Sequence, residues 1–409
     1  MSFSSNIIST FAPSNMSAFG TLETGELTPI IQGDFVYGLN TQIWNTATTS
    51  GAGATVDTSN GRLRIQSGTS SSGNAYITSR KILRYRAGQG NVVRFTPLFT
   101  AGVANNIQAW GIGTIASNAL YDGYFFGYNG TAFGIAHAIS GSITWTAQTS
   151  WNGDKIDGTA GTSFTWDPTK GTPVMIKYPY LGYGDIEFFV QNPTTGSWIL
   201  VHTIRYANTT ANTQLSNPSL QFIGYTLNSG NTSNITMYTG SVRCFVSGQR
   251  NYSSNPKWGA SNRKATITTQ TSVLSLKNAT TYNGITNRGL IRLNYLSFAW
   301  DGANDTGLLN VILNTTLGGS PSYTTINGTT ADSGVTITSG NSIASVDTAG
   351  TTITGGTVVF NVALARNSNC FMDLTSQDIY VEPGSTITFA VTGDASGTAR
   401  VSVNWSEDV

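Results

Sequence analysis

The chain has 409 residues, of which 10% are charged, and its formal net charge at pH 7 is +1. Ordinary soluble domains are about 25% charged, so this surface is solvated by Ser, Thr, Asn and Gln, and the absence of a basic excess argues against nucleic-acid binding. Hydrophobic residues make up 39% of the chain, which is enough to bury a core and argues against disorder.

The abundant Thr favours strands, and the abundant Asn and Gly favour tight turns. No segment of ten or more residues has the period of an amphipathic helix, so an all-β fold is predicted. Residues Met1–Gly20 lack the basic start and apolar run of a secretory signal. No apolar stretch approaches the length of a membrane span. We therefore expect synthesis in a cytoplasm and no membrane insertion.

Residues 1–30 are predicted to be an N-terminal arm. They mix Ser, Asn and Gly with isolated apolar residues and show no clear period. Such a segment cannot form a core alone. Two arrangements remain open, a disordered arm and an arm ordered against a neighbouring subunit.

Residues 31–250 are predicted to form one large sandwich of short strands. So many strands separated by turn residues are typical of a two-sheet jelly roll of the lectin (concanavalin-like) kind. One candidate strand, AYITSRKILRYR, has alternating faces. Its residues Ile82, Arg84 and Arg86 alternate with Lys81, Leu83 and Tyr85. The candidate strands are GRLRIQSG, AYITSRKILRYR, NVVRFTPLFT, TPVMIKYPYLG, DIEFFVQ, SWILVHTIRYA, SLQFIGYTL and ITMYTGSVRCFVSGQ.

Within this sandwich, Asp122–His137 is predicted to be a hairpin, DGYFFGYNGTAFGIAH. The pair Asn129-Gly130 predicts a type I′ turn. Period two on both sides of the turn places large rings on one face and small residues on the other. The small face either lets another layer approach closely or leaves a shallow groove.

Residues 251–264 are predicted to be a linker, because this region is polar, turn-rich and locally basic. Residues 265–409 are predicted to form a second, smaller β-sandwich. Its Thr/Gly/Ser-rich middle, with alternating pieces at Val335–Ile337 and Thr351–Ile353, is interpreted as short strands and turns. In ARVSVNWSEDV, the side chains predicted to point inward are Val401, Val403 and Trp405.

Several segments resemble the large β-sandwich of virion structural proteins of tailed phages and other large DNA viruses. They are TLETGELTPIIQGDFVYGLNTQIW, LRYRAGQGNVVRFTPLFTAGVANNIQAWGIG and DGYFFGYNGTAFGIAH, and the ending DIYVEPGSTITFAVTGDASGTARVSVNWSEDV resembles a terminal domain of such proteins. The shared features are aromatics, glycines and turns. The resemblance implies a sandwich fold and a place in a particle, as a fibre, spike, decoration or minor capsid protein, and it implies no activity.

Residues for catalysis, cofactors or metals are not expected. His137 and His202 lie in predicted strands without Cys or His close in sequence, so they are interpreted as ordinary strand residues. Cys244 and Cys370 are expected to be free, buried thiols, and a disulfide between domains remains open. No Walker-type phosphate loop or G-x-S-x-G elbow occurs.

Asp185 and Glu187 in YGDIEFF are two residues apart on a predicted strand, so both carboxylates point to one face. Glycosidases that share the large sandwich fold typically place Glu-x-Asp-x-Glu on one strand, whereas Tyr183 stands at the first of these positions here. A retaining mechanism needs an acid and a nucleophile about 5 Å apart. A polar, solvent-side strand face is therefore the favoured interpretation, with a polysaccharide hydrolase as an alternative.

Two acidic turns could supply oxygen ligands to calcium. One contains Asp154 and Asp157, and the other contains Asp301, Asn304 and Asp305. Neither has the full ligand spacing of a calcium loop, and both also read as Asx turns. Ordinary turns are the favoured interpretation.

Glycan binding is the more serious hypothesis for a site. Sugar rings stack on aromatic faces, and Asn, Asp and backbone groups bind their hydroxyls. The alternative is that these aromatics lie in the core or at a subunit contact. The candidates near predicted turns are Trp145, Trp151, Tyr180, Tyr183 and Trp198.

The sequence therefore predicts a non-enzymatic virion structural protein that acts through assembly contacts. Uncharged surfaces are buried at lower desolvation cost than charged ones, and sheet edges and arms can add strands to neighbours. Expected partners are other virion proteins and further copies of the chain, with a trimer favoured by analogy with spikes and fibres. The alternative is a receptor- or glycan-binding module on the particle, facing a host surface glycan.

Overall fold

The computed structural model describes residues 27–248, 255–302, 306–326, 342–393 and 395–409. The chain divides into two compact units, residues 1–250 and 251–409. The described helical content is one 3₁₀ turn, Gln148–Ser150, and all the sheets are antiparallel, so the predicted all-β class is confirmed. No helix in these ranges is long and apolar enough to cross a membrane.

The first unit contains strands β1 to β15. Their short lengths and frequent turns reflect the Thr, Asn and Gly content. They are β1 Leu27–Asp34, β2 Trp44–Thr49, β3 Gly53–Asp57, β4 Arg62–Gln66, β5 Asn74–Ser79, β6 Asn91–Leu98, β7 Asn106–Ala116, β8 Ala119–Asn129, β9 Ala132–Ile139, β10 Ser142–Ala147, β11 Val174–Tyr178, β12 Ile186–Gln191, β13 Trp198–Ile204, β14 Gln221–Asn228 and β15 Thr236–Ser247.

These strands form a jelly-roll sandwich. The eight-stranded sheet has the order β13-β12-β11-β6-β15-β4-β3, with β1 also paired to β15, and the seven-stranded sheet has the order β10-β9-β8-β7-β14-β5-β2. One large cluster of buried side chains, including Phe95, Trp110, Phe126 and Phe188, forms the core. Separate apolar clusters lie on the other face of the seven-stranded and eight-stranded sheets, and we call these faces outward.

The predicted hairpin is present as β8 and β9, but its turn differs from the prediction. Asn129 pairs with Ala132, so the two central residues are Gly130 and Thr131. Of these only Gly130 has positive φ, at 62°, which matches type II′ rather than type I′. The rings at alternate positions point into the core, as predicted; the core members are Tyr124, Phe126, Tyr128, Phe133 and Ile135. The other face carries small residues and one further ring, Phe125.

Two predicted boundaries in this unit are wrong. Strand β5 ends at Ser79, and the alternating run beyond it contributes only an isolated bridge between Leu83 and Leu220. Ile82 and Leu83 are adjacent and both buried. This segment therefore does not have the single buried face of an alternating strand. Residues 27–30, assigned to the arm, belong to β1, in which Leu27, Thr28 and Pro29 pair with β15; the rest of the predicted arm lies outside the described residues.

The second unit contains strands β16 to β30. They are β16 Lys257–Ile267, β17 Thr271–Asn278, β18 Thr281–Tyr282, β19 Ile285–Thr286, β20 Leu290–Gly302, β21 Gly307–Leu313, β22 Thr316–Leu317, β23 Thr324–Thr325, β24 Ala344–Asp347, β25 Ile353–Thr354, β26 Thr357–Leu364, β27 Ser368–Asp373, β28 Tyr380–Val381, β29 Thr386–Gly393 and β30 Gly397–Asp408. A five-stranded sheet has the order β16-β30-β20-β27, with β28 beside β20, and a six-stranded sheet has the order β23-β24-β17-β29-β21-β26. The two share one core.

The predicted linker 251–264 is wrong over its second half. Residues 257–264 belong to β16, which pairs with β30 from Lys257 to Ile267. Polar residues hide the alternation of this strand, because only Ala260 and Ile267 of its length are buried. The predicted inward direction of the last strand is confirmed, since its alternate residues Val401, Val403 and Trp405 are core members.

Both cysteines are free; Cys244 is buried and Cys370 is half-buried. Two alternating pieces are predicted in the Thr/Gly/Ser-rich middle of the second unit. Ile353, in the second piece, lies in β25, and the first piece, residues 335–337, lies outside the described ranges. The candidate calcium ligands Asn304 and Asp305 lie outside them as well.

Candidate functional site

A pocket of about 400 Å³ opens at one end of the seven-stranded sheet. Ligand pockets typically have volumes of about 300 to 1,000 Å³. Three chain segments meet there: the approach to β7, the turn between β8 and β9, and the residue after β14. The lining residues are Ala104, Asn105, Asn106, Ile107, Asn129, Gly130, Thr131 and Ser229.

Backbone hydrogen bonds hold these segments together. The Gly130 N–H donates to the Asn106 carbonyl at 2.8 Å, and the Ser229 N–H donates to the Asn105 carbonyl at 2.8 Å. Asn105 has a φ of 60°, a conformation that Asn tolerates better than most residues. The pocket rim is therefore set by the sheet ladder and two turns.

Asn106 lies at the base of this arrangement and is 1% exposed. Its Nδ2 donates to Asn228 Oδ1 at 2.8 Å and to the Leu227 carbonyl at 3.1 Å. Asn228 Nδ2 in turn donates to the Ser70 carbonyl at 3.0 Å. These bonds fix the amide orientation, and Asn106 Oδ1 has no hydrogen-bond partner among the described residues. A buried acceptor without a partner is costly.

The lining residues carry no charge. Asn105, Asn129, Thr131 and Ser229 are exposed and bear amides or hydroxyls, which both donate and accept hydrogen bonds. Such a lining favours a neutral, polyhydroxylated ligand over an anion or a cation.

The pocket adjoins the outward face of the seven-stranded sheet, because Ile107 lines the pocket and also packs against the apolar cluster of that face. The centre of this face has a floor of glycine and alanine. The Phe125 ring lies directly over it, since a Cβ added to Gly113 would lie 2.5 Å from Phe125 Cζ, and one added to Gly123 would lie 2.8 Å from the same atom. The small face of the predicted hairpin is thus occupied by a ring of its own sheet.

The three tryptophans among the predicted glycan-binding residues lie in different places. Trp145 is half-buried on β10 and packs against the outward cluster of the seven-stranded sheet. Trp198 packs against the outward cluster of the eight-stranded sheet, with the Arg94 guanidinium 5.7 Å from its ring. Trp151 is 2% exposed in the sandwich core, so its ring has no free face for a sugar. Packing against Phe126 and Phe133 explains its burial.

The two predicted tyrosines lie in the loop between β11 and β12. The Tyr180 hydroxyl donates to the Leu215 carbonyl at 3.3 Å, and its ring meets Tyr85 edge-on at 4.8 Å. Tyr183 is 40% exposed, and its hydroxyl donates to the Ala211 carbonyl at 2.7 Å. The structure therefore does not bring the five predicted aromatics together, and none of them lines the pocket.

The carboxylate pair lies on the eight-stranded sheet. Asp185 precedes β12 and accepts from Arg205 Nη1 at 3.3 Å. Glu187 lies opposite Lys177 of β11 and Thr203 of β13. Burial raises the pKa of the Glu187 carboxyl, and the Lys177 ammonium opposes that rise. With one glutamate and no second on this strand, the arrangement lacks the paired glutamates of the glycosidase pattern.

The described acidic turns satisfy their own carboxylates. Asp154 Oδ1 accepts from the Ile156 N–H at 3.0 Å, and Asp157 Oδ1 accepts from the Thr159 N–H at 3.0 Å. These are Asx turns. Within the described ranges, no group of three or more His, Cys, Asp and Glu could hold a metal ion.

The histidines are enclosed by their own sandwich. His137 Nε2 lies 2.7 Å from the Gln214 carbonyl, and its ring stacks on Tyr124 with centroids 5.3 Å apart. His202 Nδ1 accepts from the Asn152 N–H at 3.2 Å. Burial lowers the pKa of both imidazoles.

The sheet order and the core that the two sheets share define the fold of the first unit: a two-sheet, concanavalin-like jelly-roll sandwich. No protein-family model matches the chain, and no curated protein matches it.

Solved structures with a similar arrangement include the carbohydrate recognition domain of Emp47p, with 12% identity over 55% of this chain and 98% of that chain, and a TM-score of 0.34. The β-glucanase of Bacillus licheniformis has 13% identity over 56% of this chain and 100% of that chain, with a TM-score of 0.33. Cellulose induced protein Cip1 has 14% identity over 52% and 96%, with a TM-score of 0.34. Scores this low carry no argument about activity or ligand.

Proposed function

We propose that the chain is a non-enzymatic glycan-binding protein and that the pocket at the end of the seven-stranded sheet is its sugar site. The observation that carries the proposal is the uncharged pocket lining of amides and hydroxyls, in which Asn106 is held in place by its bonds to Asn228 and to the Leu227 carbonyl. The exposed rim side chains of Asn129 and Thr131 bind sugar hydroxyls.

Trp145 extends the site for a longer glycan. Trp145 of β10 pairs with Ala136 of β9, and the rim residue Asn129 of β8 pairs with Ala132 of β9. Ala132 and Ala136 are four residues apart, which at roughly 3.3 Å per residue is about 13 Å along the strand direction. A glycan leaving the pocket along the outward face would reach the Trp145 ring, and the aromatic face favours stacking of a sugar ring.

Binding is tested on the full chain with an array of neutral glycans, followed by calorimetry on the best ligand. The variant Asn129→Ala/Thr131→Ala removes two exposed side chains, and we expect at least a tenfold loss of affinity. The matched control is Asn404→Ala/Thr269→Ala, which changes exposed residues of the same types in the second unit. Equal affinities for the two variants, or no binding by the wild type to any neutral glycan, would contradict the proposed site.

The absence of turnover is part of the proposal. Tyr183 donates its hydroxyl to the Ala211 carbonyl, and Glu187 faces Lys177 rather than a second glutamate. We expect no cleavage of the polysaccharides that the protein binds. Cleavage by the wild type that disappears in Glu187→Gln would favour the hydrolase alternative.

A virion role remains the second candidate. It rests on the resemblance of several sequence segments to virion structural proteins, given under Sequence analysis. In this role the chain contacts other virion proteins and displays the glycan site towards a host surface. Quantitative mass spectrometry of purified particles tests it: a copy number of tens to hundreds per particle supports the role, and absence from particles overturns it.

A further inference from the structure

Both sheets of the second unit end, on one side, in two consecutive strands, β26 and β27, which do not pair with each other; we call residues 357–373 the β26–β27 hairpin. β26 is the last strand of the six-stranded sheet and β27 the last of the five-stranded sheet, and only residues 365–367 separate them. Within the described ranges, β26 pairs with β21 alone and β27 with β20 alone. Each strand therefore has a row of backbone donors and acceptors on its outer edge.

This hairpin has few of the features that usually prevent edge-to-edge pairing, which are charged side chains, proline, very short length and β-bulges. Strand β26 has one bulge, at Val359, because Phe360 pairs with Val311 and Val358 pairs with Ile312. β26 has eight residues, TVVFNVAL, with no charge and no proline, and β27 has one charge, Asp373, at its end. Apolar side chains are exposed here, with Val358 at 50% and Phe371 at 69%.

The core is also open along this side. Five side chains that pack against the core from the two edge strands are only partly buried: Val359, Phe360, Val362, Cys370 and Met372. Beside them, the Phe371 ring stacks on Tyr295 of β20, with centroids 5.5 Å apart and both rings exposed. The apolar strip thus continues from the strand edge onto the neighbouring sheet face.

The opposite edges of the same sheets are protected. The edge strand β16 carries three cations, Lys257, Arg263 and Lys264, and two copies of it would repel each other. The edge strand β23 has only two residues, Thr324–Thr325. The contrast within one unit singles out the β26–β27 hairpin.

We propose that the β26–β27 hairpin is the site where a second copy of this chain pairs, β26 against β26, around a two-fold axis. A second copy fits because an uncharged edge meets its own copy without repulsion, and two identical strands related by a two-fold axis lie antiparallel and complete each other's hydrogen bonds. The pairing covers Phe360 and Val362 from both copies. It predicts a dimer rather than the trimer expected from family analogy, and it does not depend on glycan binding.

The test is the mass of the full chain in solution, by light scattering after gel filtration. Wild type is compared with Val358→Lys/Ala363→Lys and with Val358→Glu/Ala363→Glu, which place like charges on the exposed side of the edge strand. We expect a dimer for wild type, monomers for each charged variant alone, and dimers again when the two charged variants are mixed.

The matched control is Ile285→Lys, an apolar residue of the same unit that is 65% exposed and lies on β19, away from the hairpin. It should remain a dimer. Thermal melting by circular dichroism checks that the charged variants are folded. A monomeric wild type, an odd number of copies, or folded charged variants that stay associated would each overturn the proposal.

Discussion

The indole Nε1 of Trp405 donates a hydrogen bond of 3.0 Å to Oε1 of Glu407, two residues further along β30. Both side chains are fully buried. The same carboxylate accepts from the Ser342 hydroxyl at 2.6 Å and from the Ile343 N–H at 3.0 Å. One buried acceptor thus joins the last strand to the segment that leads into β24.

Replacing this carboxylate should strongly destabilise the second unit. Glu407→Ala leaves two buried donors, the Trp405 indole N–H and the Ile343 N–H, without a partner, and each such group costs about 1–3 kcal/mol. The Ser342 hydroxyl keeps the Ala344 carbonyl, at 3.4 Å, as an acceptor. We expect the free energy of unfolding, measured by urea denaturation, to fall by about 2 kcal/mol or more.

The control is Asp373→Ala, an exposed carboxylate that accepts from Thr375, where water replaces the lost bonds and we expect a much smaller loss. Similar losses for the two variants would contradict this account.

The close contact between the Phe125 ring and Gly113 predicts that a larger residue at position 113 destabilises the first unit. In Gly113→Ala the new Cβ would lie 2.5 Å from Phe125 Cζ and closer still to the Asp122 carbonyl, so the ring and a strand must move. Overpacking of this kind costs about 1–3 kcal/mol. Gly53→Ala is the control, because the nearest atom to its Cβ is Gln66 Oε1 at 3.8 Å. Urea denaturation of both should show a loss only at position 113.

The two thiols should differ in reactivity. Burial raises the pKa of Cys244 far above its ordinary range, and Cys244 is fully buried. Cys370 is half-buried, and burial raises its pKa as well. With an aromatic disulfide reagent at pH 8, we expect one fast-reacting thiol per native chain and two after denaturation. Native Cys370→Ser should show none; rapid labelling of that variant would place Cys244 at the surface.

The buried histidines predict a loss of stability on acidification. Burial lowers the pKa of His137 and His202 below 6.5. The unfolded chain therefore takes up protons first as pH falls through about 6.5, and unfolding becomes more favourable. We expect the free energy of unfolding to decrease from pH 7 to pH 5.5. The slope should be smaller in His137→Gln and smallest in the variant with both histidines replaced; an unchanged slope would assign the effect to other groups.

Alternation of side chains was the most informative sequence signal. It predicted the hairpin around Gly130 and the inward direction of Trp405, because each lies in a strand with one face in a core. It failed for β16, whose inward residues are few and whose outer edge is polar. It also failed after Ser79, where Ile82 and Leu83 are buried side by side.

The candidate pocket could not have been found from the sequence. Asn106 and Asn228 are 122 residues apart and meet only because β7 pairs with β14. Nothing local distinguishes them in so Asn-rich a chain. The aromatics that the sequence favoured were selected for nearness to turns, which does not separate the core residue Trp151 from the half-buried Trp145. The specific arrangement depends on strand order, which long-range pairing determines.

Strand β1 is held against β15, and the Thr28 hydroxyl donates to the carbonyl of Gly248, 220 positions later. Closing so long a loop costs conformational entropy, which the strand contacts offset only after they have formed. Folds dominated by pairings between distant residues therefore fold slowly. We therefore expect the first unit to refold on a timescale of milliseconds to seconds or longer. During that interval its unpaired strands are open to self-association, so dilute, cold refolding should give the highest recovery of native protein.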